Sequence, residues 1–190
     1  MRLAAVVVLV LAEATASSGA RLETPTSPAP TPTPTANAAV RIVVNKGARA
    51  LALYDGTHLV KTYRVALGSQ PTGPKQLEGD GATPEGEYYV THANPQSKFH
   101  LSLGLSYPNA ADAARGVSRG SITKTEARAI AEAIDKRERP PQHTKLGGDI
   151  FIHGGGTSTD WTAGCVALEN SDIEELFARV PIGARVSVLP

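Results

Sequence analysis

A chain of 190 residues with 41% hydrophobic residues and a formal charge of +1 holds enough apolar material for one ordinary core. It has no surplus of cations with which to hold a polyanion, so nucleic acid is not an expected partner. Its single cysteine, Cys165, excludes an intrachain disulfide framework and any zinc site built from several cysteines, which leaves this thiol either buried and inert or kept free for reaction.

The N-terminus reads as an export signal. Arg2 supplies a short basic region, Leu3 to Ala12 form an apolar run too short to span a bilayer comfortably, and Ala14-Thr15-Ala16 or Ser18-Gly19-Ala20 offers small residues for cleavage. Residues 1–20 are thus expected to be a signal peptide, with membrane attachment only if it stays uncleaved. Residues 21–38 are expected to be a spacer, because Thr24 to Thr35 is dominated by Pro and Thr, cannot build a core and favours an extended, polyproline-like chain.

The folded domain is expected over 39–190 and to be mainly β. Val40, Ile42 and Val44 alternate with Arg41 and Asn45, and Leu51 and Leu53 alternate with Ala50, Ala52 and Tyr54, the period of half-buried strands. Asp55-Gly56 turns the chain into a partner strand over Leu59 to Leu67. Further strands are predicted at Gly86 to His92, Ile150 to His153 and Arg185 to Leu189. Two helices interrupt the pattern. Thr123-Lys124-Thr125-Glu126 has the form of a capping box, Ala127, Ile130, Ala131 and Ile134 share one face, and Pro140-Pro141 stop the segment. Ser171-Asp172-Ile173-Glu174 repeats the cap, with Ile173, Leu176, Phe177 and Val180 at helical spacing before Pro181 and Gly183.

Between these helices lies the stretch that reads as chemistry. Phe151-Ile152-His153-Gly154-Gly155-Gly156 is followed by Asp160-Trp161-Thr162-Ala163-Gly164-Cys165-Val166-Ala167-Leu168. A thiol becomes a nucleophile when a nearby imidazole takes its proton, and a glycine beside it lets a substrate carbonyl approach the backbone. The pair suggests acyl transfer through a thioester. A thiol of pKa about 8.5 is only a few per cent ionised at neutral pH, so full ionisation by an imidazole would raise the reactive fraction roughly thirtyfold, or about 2 kcal/mol. Amide cleavage also needs a proton for the departing amine, which His153 can supply. It needs donors for the tetrahedral oxyanion too, for which the backbone N–H groups of Cys165 and its neighbours are available; losing one such donor costs about 3 kcal/mol. A group to orient His153 is harder to find, because Asp149 stands four residues away on one predicted strand, roughly 13 Å at about 3.3 Å per residue. A backbone carbonyl or Asp160 is left for that role.

At these residues the chain resembles the L,D-transpeptidases with a YkuD-type catalytic domain. Their motif is His-Gly, a loop of variable length, Ser or Thr, any residue, Gly, Cys and usually an Arg two positions later; His153-Gly154 and Thr162-Ala163-Gly164-Cys165 match it. The runs Thr72-Gly73-Pro74-Lys75, Glu78-Gly79-Asp80, Thr83-Pro84-Glu85-Gly86 and Ser97-Lys98-Phe99-His100 extend the likeness over Val40 to Pro190. The resemblance implies a β-sandwich-like domain with a few short helices, exported to the periplasm or cell wall and acting on peptidoglycan stem peptides. It implies that Cys165 attacks the diaminopimelate–D-Ala bond of a tetrapeptide stem, forms a thioester and transfers it to an amine, giving a 3-3 cross-link or the attachment of a lipoprotein. By the same resemblance His153 is base and acid, Gly164 and Cys165 contribute backbone donors, and Gly154, Thr162, Asp160 and Trp161 are candidates for substrate contact. No metal or organic cofactor is implied.

One departure stands at Ala167, where most members carry Arg; alanine has no forked donor to hold a carboxylate or pin the site loop. The nucleophile and base are intact, so the departure bears on the acceptor. Water in place of an amine would give a carboxypeptidase or a hydrolase that releases wall-linked lipoprotein. A non-catalytic wall-binding domain is the reading from a different class, and it needs neither His153 nor Cys165. Plainer roles also stand for several residues: packing for Trp161, a turn or cap for Asp160, a solvated loop position or a stem-peptide carboxylate for Lys75, and a place in the cleft for His100.

Overall fold

The computed structural model describes residues 40–190; the expected signal peptide and spacer lie outside the described residues. β1 (Arg41–Asn45), β2 (Ala50–Asp55) and β3 (His58–Arg64) form an antiparallel meander. Their alternation sends Ile42, Val44, Leu51 and Leu53 into the core, and Gly56 at φ 57° supplies the left-handed turn before β3. β4 (Gly86–Ser97) and β5 (His100–Leu105) form a long hairpin. A helical excursion follows, α1 (Ala110–Ser118) and α2 (Lys124–Asp135), before the chain returns through β6 (Phe151–His153), β7 (Val166–Ala167), α3 (Asn170–Arg179) and β8 (Arg185–Leu189).

The strands make one hydrogen-bonded sheet in the order β3-β2-β1-β8-β4-β5-β6-β7, with β8 parallel to β1 and antiparallel to β4. Beyond β3 the segment around Ala66 and Gly68 bridges to Ala167 and Thr162, so the sheet curls until its two edges meet. The domain is mainly β as expected, and its sandwich-like character comes from this curling. Ile42, Val44, Leu103, Ile152, Val166 and Val186 are fully buried inside the curl, and α3 closes it with Ile173 and Leu176. Burial of each such side chain contributes about 2 kcal/mol. A separate small core, Ala113, Ile122, Ile130 and Leu146, ties α1 to α2.

The predicted capping box of α2 is present: Thr123 Oγ1 accepts from the Glu126 N–H, and the Glu126 carboxylate accepts from the Thr123 N–H. The second predicted cap is not formed. α3 begins at Asn170 with Glu169 as N-cap and no side-chain cap bond, because the Glu169 and Asn170 side chains reach instead to the loop after β6.

Candidate active site

The loop that carries Cys165 is bolted to the opposite edge of the curled sheet. The Thr162 N–H donates to Leu67 O at 3.1 Å, the Ser69 N–H donates to Thr162 O at 3.0 Å, and the Ala66 and Ala167 backbones exchange bonds of 2.9 and 2.8 Å. Within the loop Thr162 Oγ1 donates to Cys165 O at 2.8 Å and accepts from the Gly164 N–H at 3.1 Å. Gly164 is required here: its φ is 136°, and a Cβ would stand 2.7 Å from Ala82 O. Thr83 adds a second brace, its hydroxyl accepting from the Gly68 N–H at 2.8 Å and donating to Cys165 O at 3.5 Å. Behind it the buried Lys46 ammonium binds Thr83 O at 2.9 Å, Glu85 at 2.8 Å and Gly73 O at 2.5 Å.

The imidazole comes from the neighbouring strand. β6 and β7 run parallel, pairing Ile152 with Val166 and His153 with Ala167, so His153 and Cys165 reach one cleft of about 660 Å³. The buried His153 places Nδ1 2.6 Å from Gly154 O. A carbonyl only accepts, so this contact puts the proton on Nδ1 and leaves the Nε2 lone pair to act as base. Gly154 is itself fixed by the N–H bond to Phe99 O at 3.1 Å, and a Cβ there would lie 2.5 Å from Asn170 Oδ1. Glu169 accepts from the Thr157 N–H and hydroxyl, and Asn170 from the Gly155 N–H. The missing cap of α3 is therefore the support of the His153 loop.

Burial pushes the Cys165 thiol above its ordinary value; the Phe151 N–H, donating to Sγ at 3.4 Å, opposes the rise, the Asp149 charge adds to it, and Lys75 and Lys98 oppose it. Burial likewise pushes the His153 imidazole below its ordinary value, against the Gly154 carbonyl, and the Lys98 charge adds to the fall. Both shifts favour a neutral thiol and a neutral imidazole, and the thiol donates to Asp149 O at 3.6 Å. The ionised pair considered from the sequence is thus disfavoured at rest, because burial weakens the hydration of both charges. Among the described residues no group of three or more His, Cys, Asp or Glu side chains is placed to hold a metal ion.

The other sequence candidates fall in different places. Trp161 and Thr162 line the cleft with Cys165 and His153, Trp161 donating from Nε1 to Gly156 O at 3.1 Å. Gly154 acts on the imidazole. The Gly164 N–H is taken by Thr162, so the free backbone donor beside the sulfur is that of Cys165, which has no acceptor among the described residues. Asp160 does not orient His153 and does not line the cleft: its carboxylate accepts from Arg49 Nε and Nη2 at 2.9 and 2.7 Å and from the Leu67 N–H at 2.9 Å. Lys75 is neither solvated nor in the cleft but buried against Asp80 at 2.8 Å. His100 turns away to Glu174 at 2.6 Å, and its neighbours Lys98 and Phe99 enter the cleft instead. Phe99 and Lys98 are residues that sequence reasoning missed; their run was visible, but only the paired strands show that Phe99 stacks on His153 and that both enter the cleft.

The sequence model of the L,D-transpeptidase catalytic domain, YkuD, matches residues 39–188. The chain is 28% identical over 144 residues to a protein named L,D-transpeptidase YafK of Escherichia coli K12, covering 73% of this chain and 46% of that protein. It is 27% identical over 155 residues to one named L,D-transpeptidase YkuD of Bacillus licheniformis, covering 79% of this chain and 66% of that protein. The crystal structure of the helical cell shape determining protein Pgp2 from Campylobacter jejuni superposes with a TM-score of 0.56 at 23% identity, over 79% of this chain and 47% of that one. Bd1075 of Bdellovibrio bacteriovorus has the same fold, with a TM-score of 0.51 at 21% identity over 79% of this chain and 47% of that one. The chain thus spans about half the length of YafK, Pgp2 and Bd1075.

Proposed function

The chain belongs to the L,D-transpeptidase catalytic domain family, YkuD, and from that premise we propose that it is an exported acyl-transfer enzyme of the peptidoglycan, with Cys165 as nucleophile and His153 as base and acid. The observation that carries the reading is the parallel pairing of β6 with β7, which brings thiol and imidazole to one cleft while Gly154 O holds Nδ1 and leaves Nε2 unprotonated.

The proposed reaction begins with Nε2 taking the Sγ proton as sulfur attacks the carbonyl of the diaminopimelate–D-Ala bond. The Cys165 N–H faces the oxyanion. Collapse of the tetrahedral intermediate breaks the C–N bond, and the imidazolium returns its proton to the departing D-Ala amine. The thioester left on Cys165 is then taken by an amine, whose proton passes to Nε2, and the thiol is restored. Neutral resting partners suit this sequence, because the proton moves only when substrate is in place.

Ala167 favours a second reading of the last step. It is fully buried, exchanges two backbone bonds with Ala66 and pairs on its other side with His153, so the position where most members carry a guanidinium offers no cation to the cleft. Water as acceptor would make the protein an L,D-carboxypeptidase or a hydrolase of wall-linked lipoprotein. Residues 40–190 incubated with disaccharide-tetrapeptide, and then with lipoprotein-linked muropeptide, separate these outcomes by mass: dimers for transfer, tripeptide plus D-Ala for carboxypeptidase action, free lipoprotein for release. Turnover that survives Cys165→Ala would refute the nucleophile, and no turnover of any substrate would refute the enzyme reading.

A further inference from the structure

We infer that the Lys98 ammonium is the carboxylate anchor of the cleft, receiving the free carboxylate of the D-residue that leaves the acyl-donor peptide. The identity of that peptide rests on the reading above; the charge the cleft selects does not.

Four observations lead there. Lys98 lines the same cleft as Cys165 and His153, and its ammonium lies 5.0 Å from the centroid of the Phe99 ring with no ion-pair partner among the described residues. The other charges nearby are matched: Asp149 pairs with Arg139, and Lys75 with Asp80. The cleft therefore carries one uncompensated charge, and it is positive. Third, Lys98 sits on a turn tied to the base: the Phe99 N–H donates to Ser97 Oγ at 3.2 Å, Phe99 O accepts from the Gly154 N–H at 3.1 Å, and His100, at φ 74°, pairs with Glu174 of α3. Lys98 is thus held in register with His153. Fourth, the field of Lys98 acts on both His153 and Cys165.

The chemistry fits a carboxylate on the leaving side. In a D-amino acid the carboxylate is separated from the scissile nitrogen by one carbon, so a lysine at the mouth of the cleft can hold it while sulfur attacks the carbonyl on the other side of that nitrogen. The ion pair departs with the leaving group. Lys98 then governs capture of the donor and has no part in resolving the thioester, a different position in the reaction from the guanidinium absent at 167.

The test uses two alkylating agents alike in size and mechanism and different in charge, iodoacetate and iodoacetamide, on Cys165 of the folded protein. The ratio of their rates cancels any change in thiolate fraction. Lys98→Gln should lower the iodoacetate-to-iodoacetamide ratio about fivefold at low salt, Lys98→Glu should lower it further, Lys98→Arg should preserve it, and about 0.5 M salt should remove the wild-type preference. A ratio that is the same in wild type, Lys98→Gln and Lys98→Glu overturns the inference. In turnover, Lys98→Gln should raise KM about tenfold for a tetrapeptide stem ending in a free carboxylate, while the same stem ending in a primary amide should show equal KM in both proteins. Equal KM for the carboxylate substrate also overturns it. If the wild type turns over neither stem, the acyl-transfer reading fails and the alkylation ratio alone decides the role of Lys98.

Discussion

The ring of Phe99 lies face to face with the imidazole of His153, 4.5 Å between centroids and 20° between planes, and Trp161 meets both rings edge-on at 5.3 and 5.6 Å. Phe99 thereby keeps water from one face of the base and fixes its plane, while Gly154 O fixes its rotation. An aromatic pair of this kind is worth about 1 kcal/mol beyond its buried area. Phe99→Ala should lower kcat roughly fivefold. It should also raise the apparent pKa on the acid limb of the pH–rate profile, because an imidazole held below its ordinary value by burial regains water. Phe99→Tyr should keep both near wild type. An acid limb that stays in place in Phe99→Ala would show that the ring does not control hydration of the base.

The resting thiol should titrate high. Burial raises Cys165 above its ordinary value, so the rate of its alkylation by iodoacetamide should climb steadily from pH 7 through about pH 9, the range of an ordinary thiol, without levelling off. Measurement on wild type, with Cys165→Ala as blank, checks this. A plateau already reached near pH 6 would mean a stable thiolate–imidazolium pair and would contradict a neutral resting state.

Thr162 should matter through the turn it ties. Its hydroxyl bridges Cys165 O and the Gly164 N–H, and Val at this position would lose both bonds, stranding the Gly164 N–H and leaving Cys165 O only the long Thr83 contact. Two lost bonds at about 1 kcal/mol each should cut kcat/KM roughly thirtyfold and lower thermal stability by a few degrees. Thr162→Ser should recover most of the activity. Full activity in Thr162→Val together with a loss in Thr162→Ser would point to the methyl group rather than the hydroxyl.

Asp160 should behave as an anchor. Burial pushes its carboxyl up, but the Arg49 hydrogen bonds, the Leu67 N–H and the Arg49 charge together hold it below its ordinary value. A carboxylate with a lowered folded value stabilises the fold above its unfolded value of about 4 and loses that contribution as pH falls through the folded one. Asp160→Asn should therefore cost about 1–2 kcal/mol in urea unfolding at pH 7, and the gap from wild type should narrow below about pH 4. KM for a stem peptide should stay within twofold of wild type. A large KM change with unaltered stability would restore Asp160 to the list of substrate ligands.

Much of the frame is legible in the chain because it rests on local patterns. Ile42, Val44, Leu51 and Leu53 declare a buried strand face by alternation, and Thr123 with Glu126 declares a helix start. α1 escapes such reading because its cap is Asn109 with Asp112, a shorter pair than the Ser/Thr and Glu/Gln form, on a segment interrupted by Gly116. β5 is interrupted by Gly104, which is needed because a Cβ would stand 2.2 Å from the His92 ring. For the site, His153 and Cys165 are visible as a motif, and their cleft is not. Phe99 and Lys98 join it through the register of β5 on β6, and the partner of Asp160 stands 111 residues away at Arg49. No short-range pattern encodes such contacts.

The place of β8 has a consequence for the order in which the molecule is made. Arg185–Leu189 lies between β1 and β4, so the strands of residues 41–64 and those of residues 86–105 share no ladder until these five residues arrive. A chain that has reached the end of α3 already holds both the imidazole and the thiol, and its two half-sheets are joined by the bridges of Ala66 with Ala167 and of Gly68 with Thr162 but not yet by a ladder on the other side. Non-local pairing of this kind forms late. The five residues of β8 thus supply the second seam, which locks the first meander to the half of the sheet that carries His153.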